Sequence, residues 1–157
     1  MTKNFTSYPA PDFSLIGDDD KRHRLADYQG SWTVLYFYPE DDTPGCTIEA
    51  CSLRDSYHEL LQNEVKVVGV SMDSPAKHQD FKAKYSLPFT LLSDPEREAI
   101  RAYNAWGKKM FGHEGILRKT FVIDPDGIVQ KAYGRVTPLG HGAQLLKDIK
   151  ALQLARE

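Results

Sequence analysis

The chain contains two thiols, Cys46 and Cys51, five positions apart in the segment TPGCTIEAC. Two cysteines do not make a disulfide scaffold in a chain of 157 residues. A core of that size needs no such staple. In a reducing compartment a close pair of thiols is more often catalytic, redox-sensing or metal-binding than structural. The residues before Cys46 favour chemistry. Thr43 is a good N-cap residue and Pro44 suits the first helical position. Cys46 therefore falls at N3, inside the first turn of a helix expected from about Pro44 to Gln62. Unpaired backbone N–H groups and the positive end of the helix dipole favour an anion there, and the thiolate is the nucleophilic form of a cysteine. The gain is large: a thiol of pKa ~8.5 is about 3% thiolate at pH 7, whereas one of pKa ~6 is about 90%.

Two features qualify that picture. Glu40, Asp41 and Asp42 lie just upstream, and nearby carboxylates oppose a thiolate. Either they point into solvent or a cation outweighs them. The second is spacing. In an intact helix, residues i and i+5 have Cα atoms roughly 8 to 9 Å apart, and a disulfide needs ~4.4 to 6.8 Å. The two thiols cannot bond while the helix stands, so a bridge between them requires its first turns to unwind.

The surrounding pattern alternates between strand and helix. Trp32 to Tyr38 is a continuous apolar run that reads as a strand buried on both faces, ended by Pro39. The helix after it carries Leu53, Tyr57, Leu60 and Leu61 at helical spacing. Val65 to Met72 is a second buried strand. Ser74 and Pro75 then open a helix through Tyr85, with Ser at N-cap and Pro at N1. Phe89 to Leu92 is a short strand, Asp94-Pro95 opens a helix to about Tyr103, and Asn104 to Leu117 reads as a glycine-containing loop. Lys119 to Asp124 and Ile128 to Gly134 form a hairpin across a type I turn at Asp124-Pro125-Asp126-Gly127. Gly140 to Leu154 is a closing helix, and Phe13 to Ile16 pairs with Arg22 to Leu25 in a small hairpin at the start. The sum is a three-layer α/β pattern with parallel early strands and a right-handed crossover. No repeat, low-complexity tract or linker divides the chain, so a single domain over 1–157 is expected.

At the cysteine segment the sequence resembles a peroxiredoxin of the atypical two-cysteine type, the Q or bacterioferritin-comigratory subfamily. The motif Pro-x-x-x-Thr-x-x-Cys is matched by Pro39, Thr43 and Cys46, and its continuation Cys-Thr-x-Glu-Ala-Cys runs through Cys51. Ser93-Asp94, Trp106 to Lys109 and Gly115 to Asp124 follow the family in order and spacing. The resemblance spans nearly the whole chain. It implies a thioredoxin-like fold with a central mixed β-sheet and an N-terminal β-hairpin extension. It also implies a thiol-dependent peroxidase of antioxidant defence, without metal or other cofactor, that reduces hydrogen peroxide and organic hydroperoxides to water and alcohols.

Residue roles follow from the same resemblance. Cys46 would be the peroxidatic nucleophile that becomes a sulfenic acid. Thr43 would hold the peroxide, and Pro39 would shield the site from water. Arg118 would return to stabilise the thiolate and the charge developing on oxygen, and would offset the acidic triplet. Cys51 would close an intramolecular disulfide that a thioredoxin-like protein reduces. Lys119 departs from the family, which more often has a small hydroxyl residue there.

Plainer readings stand beside these. Cys46 on its own reads as a small buried hydrophobe, Arg118 as a surface ion pair at a strand start, and Thr43 as a cap alone. Glu49 either orients the arginine or is an exposed helical glutamate. Trp106 reads as a packed loop aromatic, and the five histidines have no metal-ligand spacing. A dithiol–disulfide oxidoreductase is disfavoured because that chemistry usually uses Cys-x-x-Cys. A redox-sensing binding protein is the third alternative.

A net charge of −2 offers no basic field for nucleic acid and no polybasic membrane anchor. No apolar run approaches the length of a membrane span, and the opening residues lack a secretory pattern. A cytoplasmic enzyme is expected. A bridge within one chain needs no second subunit, so a monomer is expected, with a weak homodimer as the alternative.

Overall fold

The structure, a computed structural model, describes residues 5–109 and 112–156. In chain order it begins with β1 (Tyr8–Pro9), β2 (Ser14–Gly17) and β3 (Arg22–Arg24), then a 3-10 turn at Leu25–Tyr28. The central part is β4 (Trp32–Phe37), α1 (Pro44–Gln62), β5 (Val65–Ser71), α2 (Pro75–Tyr85) and β6 (Thr90–Ser93). There follow α3 (Glu98–Ala102), β7 (Trp106–Lys108), β8 (Glu114–Ile116), β9 (Lys119–Ile123), β10 (Ile128–Tyr133) and α4 (His141–Arg156).

The main sheet has the order β1-β10-β9-β4-β5-β6-β2-β3. Strands β4, β5 and β6 are parallel, as the crossover helices α1 and α2 require, and β9 adds to β4 antiparallel. Every side chain of β4 is buried, because both faces of the sheet are covered. Val34 and Tyr36 face a core shared with Leu53 and Leu60 of α1, Phe81 of α2, and Leu145 and Ile149 of α4. Leu35 and Phe37 face the other core, with Phe13, Ile100 of α3, Tyr103 and Phe121. The strand thus ends rigidly where the loop to α1 begins.

The expected strands and helices are present, with four differences. The helix expected from Asp94-Pro95 begins only at Glu98, because the Asp94 carboxylate accepts the N–H groups of Glu98 and Ile100, and Arg97 takes a left-handed conformation (φ 60°). Within the expected loop from Asn104 to Leu117, β7 and β8 pair as a short hairpin, Trp106 opposite Ile116 and Lys108 opposite Glu114. Positions 110 and 111 of that loop lie outside the described residues. Leu61, placed on the apolar stripe of α1, is exposed, since Leu53 and Leu60 already fill the core-facing side. The N-terminal pairing extends to β1, which zips onto β10. Among the described residues, no helix is long and apolar enough to cross a membrane.

Candidate active site

Strand β4 is prolonged by Tyr38, whose N–H donates to Val70 O. The chain then turns through Pro39 to Thr43, with Pro39 half-buried and Asp42 in the left-handed region (φ 60°). Thr43 sits at the N-cap in an extended conformation (φ −96°, ψ 157°), and Pro44 occupies N1. The Thr43 carbonyl accepts the first helical bond, from Thr47 N–H, at 2.8 Å. Its hydroxyl does not cap the helix. It donates instead to Glu40 O at 2.8 Å, which closes the loop on itself.

Cys46 lies at N3, 1% exposed, packed in the core with Tyr36, Tyr38 and Ala50. Arg118, in the link between β8 and β9, reaches it across 72 positions of sequence: Nη2 donates to Sγ at 3.4 Å. Nη1 donates to Oε1 of Glu49 at 2.6 Å. Glu49 is fully buried, not an exposed helical glutamate, and it orients the arginine. Burial pushes its carboxyl up to about 7, against the pull of the Arg118 guanidinium. Burial disfavours the charged guanidinium in turn, but Glu49 and Cys46 outweigh it and raise Arg118 above its ordinary value. Gly45 leaves room for this arrangement. A Cβ there would stand 3.1 Å from Arg118 Nη2, so a side chain would press on the guanidinium.

The acidic triplet is turned away from the thiol and paired one residue at a time. Glu40 accepts from Lys77 Nζ at 2.7 Å. Asp42 accepts from Lys84 Nζ and the Tyr85 hydroxyl, each at 2.8 Å. Asp41 points inward, 2% exposed, between the Tyr38 hydroxyl at 2.5 Å and His78 Nδ1 at 2.6 Å. Two of the three negative charges are offset on α2 and the third is buried against His78, so Arg118 faces the sulfur without competition from them.

Cys51 is half-buried and both thiols are free. An unbroken α1 runs through both, from Pro44 to Gln62, which keeps them beyond disulfide reach by the helix geometry above. Of the expected residues, Cys46 and Arg118 meet, joined by Glu49. Thr43 and Pro39 line the approach to the helix, and Cys51 stays apart.

Three polar residues around the site, Tyr36, His78 and His141, had no sequence signal strong enough to find them. The Tyr36 hydroxyl, like Glu49 Oε2, is buried without a partner among the described residues, and burial, followed by Glu49, Asp41 and Cys46, drives Tyr36 well above its ordinary pKa. His78 is fully buried against Asp41. His141 is buried behind the site, its Nε2 2.9 Å from the Thr120 hydroxyl. Only alternation could have pointed to Tyr36, which shares a face of β4 with Val34.

A buried thiol at a helix start, faced by a fixed guanidinium, is an arrangement suited to attack on a small neutral electrophile whose leaving group gains negative charge. The frame that carries it is a thioredoxin-like α/β fold, so fold and site together define a thiol redox enzyme. The AhpC/TSA family pattern matches residues 6–132. Peroxiredoxin Bcp of Bacillus subtilis is 46% identical over 144 residues, covering 90% of this chain and 92% of that protein. The solved structure of Xylella fastidiosa PrxQ superimposes with a TM-score of 0.87 at 30% identity, over 96% of this chain and 99% of that one. A Xanthomonas campestris bacterioferritin comigratory protein, solved in connection with its alkyl peroxide reduction, gives 0.84 at 35% identity, over 88% and 90%.

The chain belongs to the AhpC/TSA family. It is a peroxiredoxin, a peroxidase that reduces hydroperoxides with a cysteine thiol and is recycled by a thioredoxin-type reductant.

Proposed function

We propose that Cys46 is the peroxidatic thiol and Cys51 the resolving one, with Arg118, Thr43 and Pro39 completing the site. The Cys46 thiolate attacks the O–O bond of the hydroperoxide. An S–O bond forms, the O–O bond breaks, and the departing oxygen leaves as water or alcohol after taking a proton. Arg118, already at 3.4 Å from Sγ, stabilises the thiolate before attack and the charge on oxygen during it. The Thr43 hydroxyl spends its hydrogen on Glu40 O, so its oxygen is left to accept the peroxide O–H. Pro39, with no N–H, limits water at the mouth of the site. The first turns of α1 then unwind, the Cys51 sulfur attacks the sulfenic acid, an S–S bond forms and water leaves. A dithiol protein of thioredoxin type reduces the bridge.

The observation that carries this reading is Arg118 held between buried Glu49 and the Cys46 sulfur. Alkyl hydroperoxides as well as hydrogen peroxide are the proposed substrates, by analogy with the activity studied for the Xanthomonas protein. The proposal extends to a monomeric, cytoplasmic, single-domain enzyme, with a weak homodimer as the alternative and no nucleic acid or membrane as partner. Both thiols lie on one helix and the net charge is only −2, which supports it.

Stopped-flow mixing with hydrogen peroxide tests the nucleophile: oxidation of Cys46 no faster than that of a free thiol would sink the assignment. Cys51→Ser should keep the first oxidation and lose turnover with thioredoxin. Mass spectrometry of the oxidised wild type should give an intramolecular Cys46–Cys51 bridge, and a bridge only between chains contradicts it.

A further inference from the structure

Asp41 and His78 lie 37 positions apart and meet in the core, 2% and 0% exposed. The hydrogen positions follow from the partners. His78 Nε2 is 3.0 Å from Leu92 O, and a carbonyl only accepts, so Nε2 carries a hydrogen. The 2.6 Å contact between Nδ1 and Asp41 Oδ2 then holds the one remaining proton of the pair, on nitrogen or on oxygen. The other carboxylate oxygen takes the Tyr38 hydroxyl. Every polar atom of the two side chains is used, and the pair is neutral as a unit.

This pair fastens the loop before Cys46 to three elements. Tyr38 extends β4, His78 belongs to α2, and Leu92 belongs to β6. The Asp41 N–H adds a fourth hold, to Asp73 Oδ2 at 2.8 Å, and that carboxylate also takes the Ser71 hydroxyl at the end of β5. Between Asp41 and Cys46 the chain is stiff: Asp42 is left-handed, Thr43 is tied to Glu40, and Pro44 has a fixed φ. A shift of Asp41 is therefore passed on to the Cys46 sulfur.

We propose that Asp41 and His78 are a positioning pair that holds Cys46 against Arg118, and so sets how the active-site turn divides its time between peroxide reduction and disulfide closure. This rests on the reading of Cys46 and Cys51 above. The first step needs the sulfur beside Arg118. The second needs it released toward Cys51. A firm hold on the loop favours the first and slows the second, which gives the sulfenic acid longer to meet another peroxide and become sulfinic.

The test measures two rates separately: the second-order oxidation of Cys46 by hydrogen peroxide, and the first-order closure of the bridge. His78→Asn cannot span both Asp41 and Leu92 O. It should slow Cys46 oxidation about tenfold, within what a small displacement of reacting atoms costs, and should speed closure, so that less sulfinate forms at high peroxide. Asp41→Asn is the rescue variant. Its amide can accept from Tyr38 and donate to a neutral His78, and both rates should stay within about threefold of wild type. If His78→Asn fails to fold, Tyr38→Phe loosens the same hold without stranding a charge, and should shift the two rates in the same opposite directions by about threefold.

Unchanged rates in the folded loosening variant overturn the proposal. So do two rates that fall together in step with lost folded protein, or an Asp41→Asn loss as large as that of His78→Asn. If the wild type forms no Cys46–Cys51 bridge, the resolving role of Cys51 fails. The first rate still judges the positioning pair, and an unchanged first rate overturns it.

Discussion

The first two turns of α1 and the turns that follow are held by contacts of different kinds. From Pro44 to Cys51 the helix contains a glycine and a β-branched threonine, both weak helix formers, and Ile48 is half exposed. Its apolar core contacts are the small side chains of Cys46 and Ala50, and its polar tie runs from Glu49 to Arg118. From Ser52 onward the helix is fixed by fully buried Leu53 and Leu60 and by α4, whose Gly142 N–H donates to the Ser52 hydroxyl at 2.9 Å. One helix therefore joins a segment with small apolar contacts and a polar clasp to a segment fixed by large buried side chains. Only the first must open for the thiols to meet, and apolar packing need not be broken beyond it.

This contrast can be broken or sharpened by experiment. Leu53→Ala should lower the unfolding free energy by about 2–5 kcal/mol, as large-to-small core changes do, while Cys46 oxidation stays within about threefold. A collapse of the peroxide rate in that variant would show that the two segments do not act separately. Arg118→Ala should do the reverse at the chemical step, slowing Cys46 oxidation roughly 100- to 1,000-fold in stopped-flow measurements, the cost of losing one preorganised donor.

Glu49 gives the polar hold a pH signature. Its folded pKa, about 7, stands above the ordinary value of 4.5, so between those values the folded state binds more proton than the unfolded one. Stability from this group is therefore full below about 4.5 and falls as pH rises through about 7. The change is on the order of 3 kcal/mol, and denaturant titrations of Glu49→Gln should lack it. The smallest effect is expected at the boundary between the segments. A Cβ at Gly142 would run into the Ser52 carbonyl, so Gly142→Ala should prise α4 from α1 and cost about 1–3 kcal/mol in thermal or chemical unfolding.

What the chain disclosed in advance was local. The run Trp32 to Tyr38, the Thr43-Pro44 start and the place of Cys46 at N3 are fixed by neighbours in sequence, and the structure has α1 over the expected Pro44–Gln62. Arg118 came only through the family resemblance, since nothing near it announces a contact 72 positions away. Glu49 stayed open because a helical wheel does not say where that arginine will arrive. The acidic triplet was ambiguous for the same reason. Its partners Lys77, His78 and Lys84 all sit on α2, and Asp41 looks solvated until its histidine is in place. The β7–β8 hairpin has no sequence signature, because three-residue strands with a glycine carry no alternation.

The unbroken helix between Cys46 and Cys51 also bears on electron transfer. The proposed Cys46–Cys51 bridge would require the first turns to be undone and the Arg118–Glu49 clasp disturbed, so the bridged form would lie uphill by whatever that structure is worth. Refolding returns this free energy when the bridge is reduced. For a two-electron couple, about 1.4 kcal/mol corresponds to a rise of about 30 mV in reduction potential. On the proposed resolving role of Cys51, the stability of a few helical residues sets the driving force with which a partner dithiol empties the enzyme for its next peroxide.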